Sequence, residues 1–377
     1  MRSTKKQGPD YRRERRMKRK RRQLLLALIF VIFLLIIAIF ISTHSAKPIP
    51  KEEDPISLGT GTEKTETEPS LTPGAIRLTF DADGGKYTEY GTDGTEQIVM
   101  DGTRFGPLPV PAKEGYVFDG WRSNEGTRVG ETSFMSFEKD TKLTAAYIPA
   151  AENADPRGLP ILMYHWFYDP AAGETSGNAN WMNIQDFEAQ MAYLTENAYY
   201  YPSWSEVYAF IMGTTTLPAK SVVVSDDDCM DSFRNMAIPI IEKYKVYATS
   251  FMITDWPDDQ NRTFVAEHTS ENLIFRSHSS FLHVRDSEGW GLVHSWSYGD
   301  ILADTQSSVE ILGAAQVYCY PFGHYNDNIQ NALRELGFKM AVTIENRRAY
   351  VGDDPLALPR VRMNEGVTMD EFAAYVS

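Results

Sequence analysis

The sequence has little cysteine: its 377 residues include only Cys229 and Cys319. Two cysteines cannot build the disulfide framework of a small secreted domain, so a fold stapled by several disulfides is excluded. The pair could form one bond outside the cell, or each could be a small buried residue at a strand end. The sequence leaves these alternatives open.

Positive charge is concentrated at the N-terminus. Residues 1–22 hold twelve Lys and Arg and two acids, whereas the whole chain carries a net charge of −14. Leu24–Ile41 follows as an unbroken run of 18 apolar residues. A helix of that length reaches roughly 27 Å, close to the thickness of a bilayer's hydrocarbon core. We therefore predict a basic cytoplasmic tail over 1–22 and one transmembrane helix over 23–42, and we expect no nucleic-acid partner.

Basic residues before an apolar span stay on the cytoplasmic side. This rule predicts a single-pass protein of the cell membrane, with its N-terminus in the cytoplasm and its body outside. The alternative is a cleaved signal peptide, which normally has an apolar region of about 7–15 residues and an A-x-A-like cleavage site. The sequence STHSAKPIP, which follows the run, is a poor site. Residues 43–74 are rich in Pro, Thr, Glu and Lys and are predicted to be a disordered linker.

Helical periodicity is missing from residues 75 to 148. IRLTF and KLTAAYI alternate like strands, and DADGG and DGT are turn signals. These features predict a small all-β domain over 75–150. We expect Tyr116, Phe118 and Trp121 to form its core.

Strands alternate with helices from residue 158 onward. PILMYH, SVVVS, YATSFMIT, NLIFRS, VYCY and MAVTI have the length and composition of buried strands. Helical patterns separate them, among them IQDFEAQMAYLTEN and NDNIQNALRELG. We predict an α/β fold, a distorted (β/α) barrel over 158–377. Chemistry in such folds collects at the C-terminal ends of the strands.

Three adjacent carboxylates, Asp226, Asp227 and Asp228, end one predicted strand. Carboxylates crowded at a buried strand end need solvent or a cation. His278 and His283 follow another predicted strand. Two His and one Asp form a catalytic zinc site of the three-ligand type. Zn²⁺ is therefore the expected divalent metal, although cobalt, nickel or manganese would also suit these donors.

Two resemblances to known families follow from these motifs. The small β domain, with Gly115–Trp121 reading GYVFDGW, resembles the internalin-type bacterial surface repeat, a spacer or adhesion module. The larger domain resembles the NodB-homology polysaccharide deacetylases (carbohydrate esterase family 4), in particular the permuted poly-N-acetylglucosamine deacetylases. The motifs behind this second resemblance are Leu162–His165, Phe187–Leu194, Val224–Phe233, Ser277–His283, Tyr320–Gly323 and Leu358–Arg360.

The deacetylase resemblance implies a role for each matching residue. It implies that Asp227, His278 and His283 bind the metal and that Asp226 is the general base. No His follows Arg360, and in the permuted relatives the corresponding His lies in the opening YH. We therefore predict His165 as the general acid.

The same resemblance implies substrate or oxyanion contacts at Tyr320, Pro321, Arg360 and His324, with a backbone N–H near Tyr320 stabilising the oxyanion.

The first metal motif departs from the family pattern at Ser225, Asp228 and Cys229, which replace Phe, Gly and Tyr. A frame shifted by one residue would make Asp227 the base and Asp228 the ligand. We set that frame aside because residues 231–233 (DSF) then fall out of register.

The predicted function is a membrane-anchored extracellular deacetylase acting on the N-acetylhexosamine residues of an acetylated polysaccharide, such as poly-N-acetylglucosamine or peptidoglycan. One alternative is a catalytically impaired relative that binds surface glycan. The other is an esterase that removes O-acetyl groups from a polysaccharide, because it would share the site.

Overall fold

The structure, a computed structural model, describes residues 75–87, 96–100, 103–134, 137, 139–150 and 157–377. The predicted tail, transmembrane helix and linker lie outside these residues. Within the described ranges, no helix combines the length and the hydrophobicity that a membrane crossing requires.

The N-terminal part is a five-stranded sheet in the order β3-β1-β7-β5-β6. A two-stranded sheet of β2 and β4 accompanies it. β1 and β7 pair in parallel, and the other pairs are antiparallel. The strands are β1 (Ala75–Asp81), β2 (Lys86–Tyr87), β3 (Glu96–Met100), β4 (Pro111–Ala112), β5 (Tyr116–Arg122), β6 (Arg128–Val129) and β7 (Thr141–Pro149).

The core of this β domain lies on one face of the sheet. Trp121 is buried, and its ring meets those of Phe80 and Phe118 edge-on, with centroids 4.9 and 5.5 Å away. The expected core positions at Phe118 and Trp121 are confirmed. The expectation for Tyr116 is wrong: its side chain is 48% exposed. Tyr116 is the first residue of β5, and its outward side chain lies beneath the Lys113 ammonium, 5.3 Å from the ring centroid.

The C-terminal part is built on a closed barrel of parallel strands in the order β11-β12-β13-β14-β15-β16-β8. The α/β prediction is confirmed. The barrel strands are β8 (Ile161–Tyr164), β11 (Val223–Asp228), β12 (Ala248–Met252), β13 (Leu273–Ser277), β14 (Val317–Cys319), β15 (Met340–Asn346) and β16 (Leu358–Arg362). β9 (Trp166–Tyr168) and β10 (Trp181–Asn183) form a separate parallel pair.

Helices surround the barrel. Ser203 opens one of them with a capping box: its hydroxyl accepts from the Glu206 N–H, and the Glu206 side chain accepts from the Ser203 N–H. Their bounds are α1 (Ile184–Glu196), α2 (Trp204–Ile211), α3 (Ile238–Tyr244), α4 (Asp258–His268), α5 (Tyr298–Leu312), α6 (Asp327–Glu335) and α7 (Met369–Val376).

The two faces of β11 point into different cores. Val223 packs with the residues that fill the barrel, among them Phe251 and Cys319. Val222 and Val224 pack instead in the outer layer, beneath the helices. Since side chains alternate along a strand, this phase fixes where each following carboxylate points.

The β domain rests directly on the barrel domain. The Arg104 guanidinium donates to the Lys245 carbonyl (3.0 Å) and to Asn272 Oδ1 (2.8 Å). The Arg128 guanidinium donates to the Thr216 carbonyl (2.7 Å). These bonds to charged donors make the contact specific, at about 1.5–3 kcal/mol for each bond.

We expect the contact to weaken as pH rises, because Glu131 of the β domain lies partly buried beside Glu206. Burial, and then the charge of Glu206, raise the pKa of Glu131 to about 7 from an ordinary value of 4.5. The contribution of protonated Glu131 to the free energy of unfolding is therefore complete below the pKa that Glu131 has in the unfolded chain. It is lost as pH rises through the pKa of Glu131 in the folded protein. The free energy of unfolding of the wild type should fall by about 1–3 kcal/mol between pH 5 and pH 8.

Urea unfolding at several pH values measures this loss. In Glu131→Gln the fall should be smaller, because the amide does not titrate. Glu125→Gln, an exposed site in the same domain, serves as the control and should keep the wild-type profile. Equal slopes for Glu131→Gln and the wild type would contradict the prediction.

Candidate metal and active site

The candidate site lies at the mouth of the barrel, where the parallel strands end. The carboxylates close β11, His278 follows β13, and His165 follows β8. Because all these strands run in one direction, their C-terminal ends meet at the same mouth. Residues far apart in the sequence are thereby brought together.

Asp228, His278 and His283 form one group of possible metal ligands at this mouth. Asp228 Oδ1 lies 3.3 Å from Nε2 of His278 and 3.3 Å from Nε2 of His283. That oxygen is buried and has no hydrogen-bond partner. Two ring nitrogens facing this carboxylate oxygen make a set of three donor atoms that fits a divalent cation.

The other ring nitrogen of His278, Nδ1, is fixed by a hydrogen bond to the main chain. Nδ1 of His278 lies 2.9 Å from the Cys319 carbonyl oxygen, which can only accept, so Nδ1 carries the proton. Nε2 then faces Asp228, the arrangement that metal-ligating histidines adopt. Burial by itself would lower the pKa of His278, but Cys319 and Asp228 raise it well above its ordinary value, so a cation bound at Nε2 would displace a proton. Burial, and then His278, lower the pKa of His283 to about 4, so that ring is neutral.

Asp227 points into the barrel and is paired with Arg360. Its two oxygens each accept from the guanidinium at 2.7 Å. Burial by itself would raise the pKa of Asp227, but the Arg360 charge reverses that effect and holds the pKa well below its usual range. The sequence-based prediction placed Asp227 with both histidines. The structure places Asp228 there and groups Asp227 with His278 and Cys319 instead.

Asp226 points away from the mouth. Its Oδ2 accepts from the Ser250 hydroxyl (2.9 Å), and its Oδ1 is buried without a partner. Burial raises the pKa of Asp226 well above its ordinary value, against the opposing hydrogen bond from Ser250. A carboxyl group whose pKa is raised by burial and that is turned from the histidines is poorly suited to be the general base, so the geometry favours Asp227 over Asp226 for that role.

His165 lies beside the Asp227–Arg360 pair, with Nε2 3.7 Å from Asp227 Oδ2. Burial lowers the pKa of His165, although Asp227 and Asp228 act in the opposite direction. The structure thus brings His165 to the mouth together with Asp227 and Asp228.

Residues 214–341 match the family model described as Polysaccharide deacetylase. The chain carries a polysaccharide deacetylase domain. Residues 77–146 match the Listeria-Bacteroides repeat domain. Both resemblances drawn from the sequence motifs are thereby confirmed.

Individual relatives agree with the deacetylase match. YxkH of Bacillus subtilis (strain 168), whose name places it among the polysaccharide deacetylases, is 28% identical over 250 residues, which are 65% of this chain and 85% of YxkH. Poly-β-1,6-N-acetyl-D-glucosamine N-deacetylase of Staphylococcus aureus (strain MSSA476) is 21% identical over 193 residues, 48% of this chain and 66% of that protein.

Solved structures of deacetylases are also similar. The Streptococcus pyogenes deacetylase PplD in complex with acetate has a TM-score of 0.49 and 23% identity, covering 58% of this chain and 98% of that one. IcaB from Ammonifex degensii has a TM-score of 0.49 and 23% identity, covering 58% and 97%.

Of the four residues expected to contact substrate in the deacetylase domain, three are buried or already hydrogen-bonded and one lies at the mouth. Arg360 is completely buried against Asp227 and cannot reach a substrate. The Tyr320 hydroxyl donates to the Leu356 carbonyl and its N–H donates to Val342, so neither is available for an oxyanion. Pro321, which has no N–H, is buried. These three expectations are corrected.

His324 is the one of the four that lies on the rim of the mouth. Its ring is partly exposed, with its centroid 6.0 Å from that of Phe322, whose ring in turn lies 4.3 Å from that of His283.

Sequence reasoning did not identify three residues that contact the carboxylates or histidines of the site. The Trp166 indole N–H donates to Asp228 Oδ2 (3.3 Å), and Cys319 Sγ lies 3.4 Å from Asp227 Oδ2. The third is Phe322. Cys229 and Cys319 are both free and buried, so the alternative in which they pair is not observed. The strand phase of Val222–Val224 was the available signal for the carboxylates, since it places Asp227, not Asp226, inside the barrel.

Backbone strain is concentrated here. Seven non-glycine residues have positive φ in the described chain, and four of them lie at this mouth: Asp228 (76°), Cys229 (55°), Ser279 (70°) and Phe322 (59°). Each such residue costs of order 1–3 kcal/mol and persists only where its surroundings enforce it. The turn at residues 228 and 229 brings the Asp228 carboxylate over the histidines.

Metal binding should distinguish the three carboxylates. Asp228→Asn and His278→Ala should lower zinc affinity at least about tenfold, because each removes a donor. Asp226→Asn, the matched control, should bind zinc like the wild type. The measurement is zinc content after loading and dialysis. Zinc retained by Asp228→Asn but lost by Asp227→Asn would return the ligand role to Asp227.

Removing the partner of Asp227 should destabilise the domain. Arg360→Met leaves a buried carboxylate unpaired, which costs about 3–5 kcal/mol. Arg362→Met, at the end of the same strand, is the control: its guanidinium donates to the Ile344 carbonyl and to no carboxylate. Chemical denaturation gives both values, and equal losses would contradict the assignment.

Proposed function

We propose that this protein is a metal-dependent deacetylase that removes N-acetyl groups from N-acetylhexosamine residues of a cell-wall or surface polysaccharide. The observation that carries the proposal is the convergence of Asp228, His278 and His283 beside the ionised Asp227, in a domain that matches the polysaccharide deacetylases. The S. aureus relative, named for its action on poly-β-1,6-N-acetyl-D-glucosamine, supports an N-acetylated polymer as the substrate.

The metal site in this proposal consists of Asp228, His278 and His283. One carboxylate and two imidazoles leave room for water, and zinc suits that donor set. When bound there, a divalent cation would supply Lewis acidity, polarising the acetamide carbonyl and lowering the pKa of the attacking water.

Asp227 is proposed as the acceptor of the water's proton. It is ionised, and Arg360 holds both of its oxygens in place. Oδ2 also accepts from the Cys319 thiol (3.4 Å), whereas Oδ1 keeps a further lone pair. One of its oxygens lies within 4.8 Å of a ring nitrogen of His278, so it borders the metal site. A fixed, charged acceptor needs little rearrangement as the reaction proceeds.

His165 is proposed to deliver the proton to the leaving amine. Water adds to the acetamide carbon, the C–N bond breaks, and acetate and a free amine result. The proton removed from water must end on the amine nitrogen. His165 Nε2 lies 3.7 Å from Asp227 Oδ2, so both proton-transfer groups border the same space.

The location of the enzyme is part of the proposal. The basic block before Leu24–Ile41 and the apolar run itself support a single-pass membrane anchor with the catalytic domain outside the cell. A polymer on the cell surface would then be within reach of the site.

Acetate release by the zinc-loaded, full-length protein in detergent tests the function. The substrates are poly-N-acetylglucosamine, chitin oligomers, peptidoglycan fragments and acetylxylan. Asp227→Asn should lower kcat/KM by about 10²–10⁴. Asp226→Asn, which replaces the neighbouring buried carboxyl by an amide, should stay within a few fold of the wild type.

Each result has a distinct meaning. Release from acetylxylan alone would make the protein an O-acetyl esterase. No release from any substrate, with zinc bound, would favour a glycan-binding protein without turnover. Loss of activity in Asp226→Asn but not in Asp227→Asn would reverse the two assignments.

A further inference from the structure

Trp290 is the most exposed large apolar side chain in the described part of the chain, with 54% of its surface accessible. It lies in the segment between His283 and α5. An indole left open to water at the edge of a polar site is a feature of ligand-binding surfaces. The position of the ring relative to the metal site decides what could bind there.

The loop that carries Trp290 has a defined conformation, held by hydrogen bonds. The Asp286 N–H donates to the Trp290 carbonyl (2.8 Å), and the Trp290 N–H donates back to Asp286 Oδ1 (2.9 Å). Arg285 and Gly291 form an antiparallel bridge, and the Leu292 N–H donates to the Val284 carbonyl (3.1 Å). The indole is therefore presented in a defined position.

A continuous row of rings connects Trp290 to the metal site. The Trp290 ring lies 5.5 Å from His294 and 5.7 Å from His324, measured between centroids. His324 lies 6.0 Å from Phe322, and Phe322 lies 4.3 Å from the ligand His283. We call Trp290, His294, His324 and Phe322 the aromatic rim.

Gly291 allows the loop that carries Trp290 to pack closely against His324 and Phe322. A Cβ at this position would lie 3.0 Å from His324 Nδ1 and 3.1 Å from Phe322 Cδ2. The Gly291 N–H donates to that same Nδ1 at 3.3 Å. Nδ1 is thereby the acceptor, so Nε2 of His324 carries the proton and can donate to a hydroxyl.

We propose that the aromatic rim binds the pyranose ring next to the one being deacetylated, with its apolar face on Trp290 and a hydroxyl at His324. This inference rests on the proposed function. A polymer whose acetamide reaches the metal must place a neighbouring sugar outside the mouth, and the rim is continuous with it. The C–H bonds on one face of a pyranose match the negative face of an indole.

The first test compares oligomers of N-acetylglucosamine from one to six units. In Trp290→Ala, the ratio of kcat/KM for the hexamer to that for the monomer should fall roughly three- to tenfold, mainly through KM. Trp290→Phe keeps an aromatic face and should recover most of the ratio. Tyr116→Ala, an exposed aromatic of the β domain, is the matched control and should keep the wild-type ratio.

An unchanged ratio in Trp290→Ala, or an equal fall for all lengths, would overturn the proposal. Calorimetric binding of the hexamer separates this failure from failure of the proposed function. If the zinc-loaded wild type turns over no glycan but binds the hexamer more tightly than Trp290→Ala, sugar binding at the aromatic rim is supported and the deacetylase function is not. Equal affinities, or no binding by the wild type, would rule out sugar binding at the aromatic rim.

Discussion

The Arg360–Asp227 ion pair is the interaction on which the rest of the site depends. Arg360 lies in β16, and besides Asp227 of β11 its guanidinium donates to the Thr343 carbonyl of β15 (2.8 Å). One buried side chain thus ties three barrel strands together at their ends. Burying two charges is expensive, and the pair is tolerable because nearly every donor and acceptor has a partner.

That pair also decides what the neighbouring carboxylates can do. With Asp227 turned inward, the alternation of the strand turns Asp226 outward, where it accepts from Ser250 and burial raises its pKa. Asp228 then leaves the strand through a left-handed turn and reaches the histidines. Three identical side chains in a row thus acquire three environments: a buried acid with a raised pKa, an ion-paired carboxylate and a candidate metal ligand.

The β domain and the barrel form a specific contact in which guanidinium groups reach main-chain carbonyls across the boundary. Such a contact holds the two domains in one orientation, which differs from the spacer role that the resemblance to surface repeats implies. The polar groups there include a pair of carboxyl groups, Glu131 and Glu206, so the fit depends on protonation. The aromatic rim lies elsewhere, in the segment that follows His283.

The sequence by itself determined the α/β class, six of the seven barrel strands and the presence of His165, His278 and His283 at strand ends, because these follow from local periodicity and from motifs. It also contained the phase of Val222–Val224, which points to Asp227 as the inward residue. Only the tertiary structure decided between Asp227 and Asp228, since that choice depends on Arg360, 133 residues away along the chain. The same holds for the rim, because rings from separate loops meet only when the barrel closes.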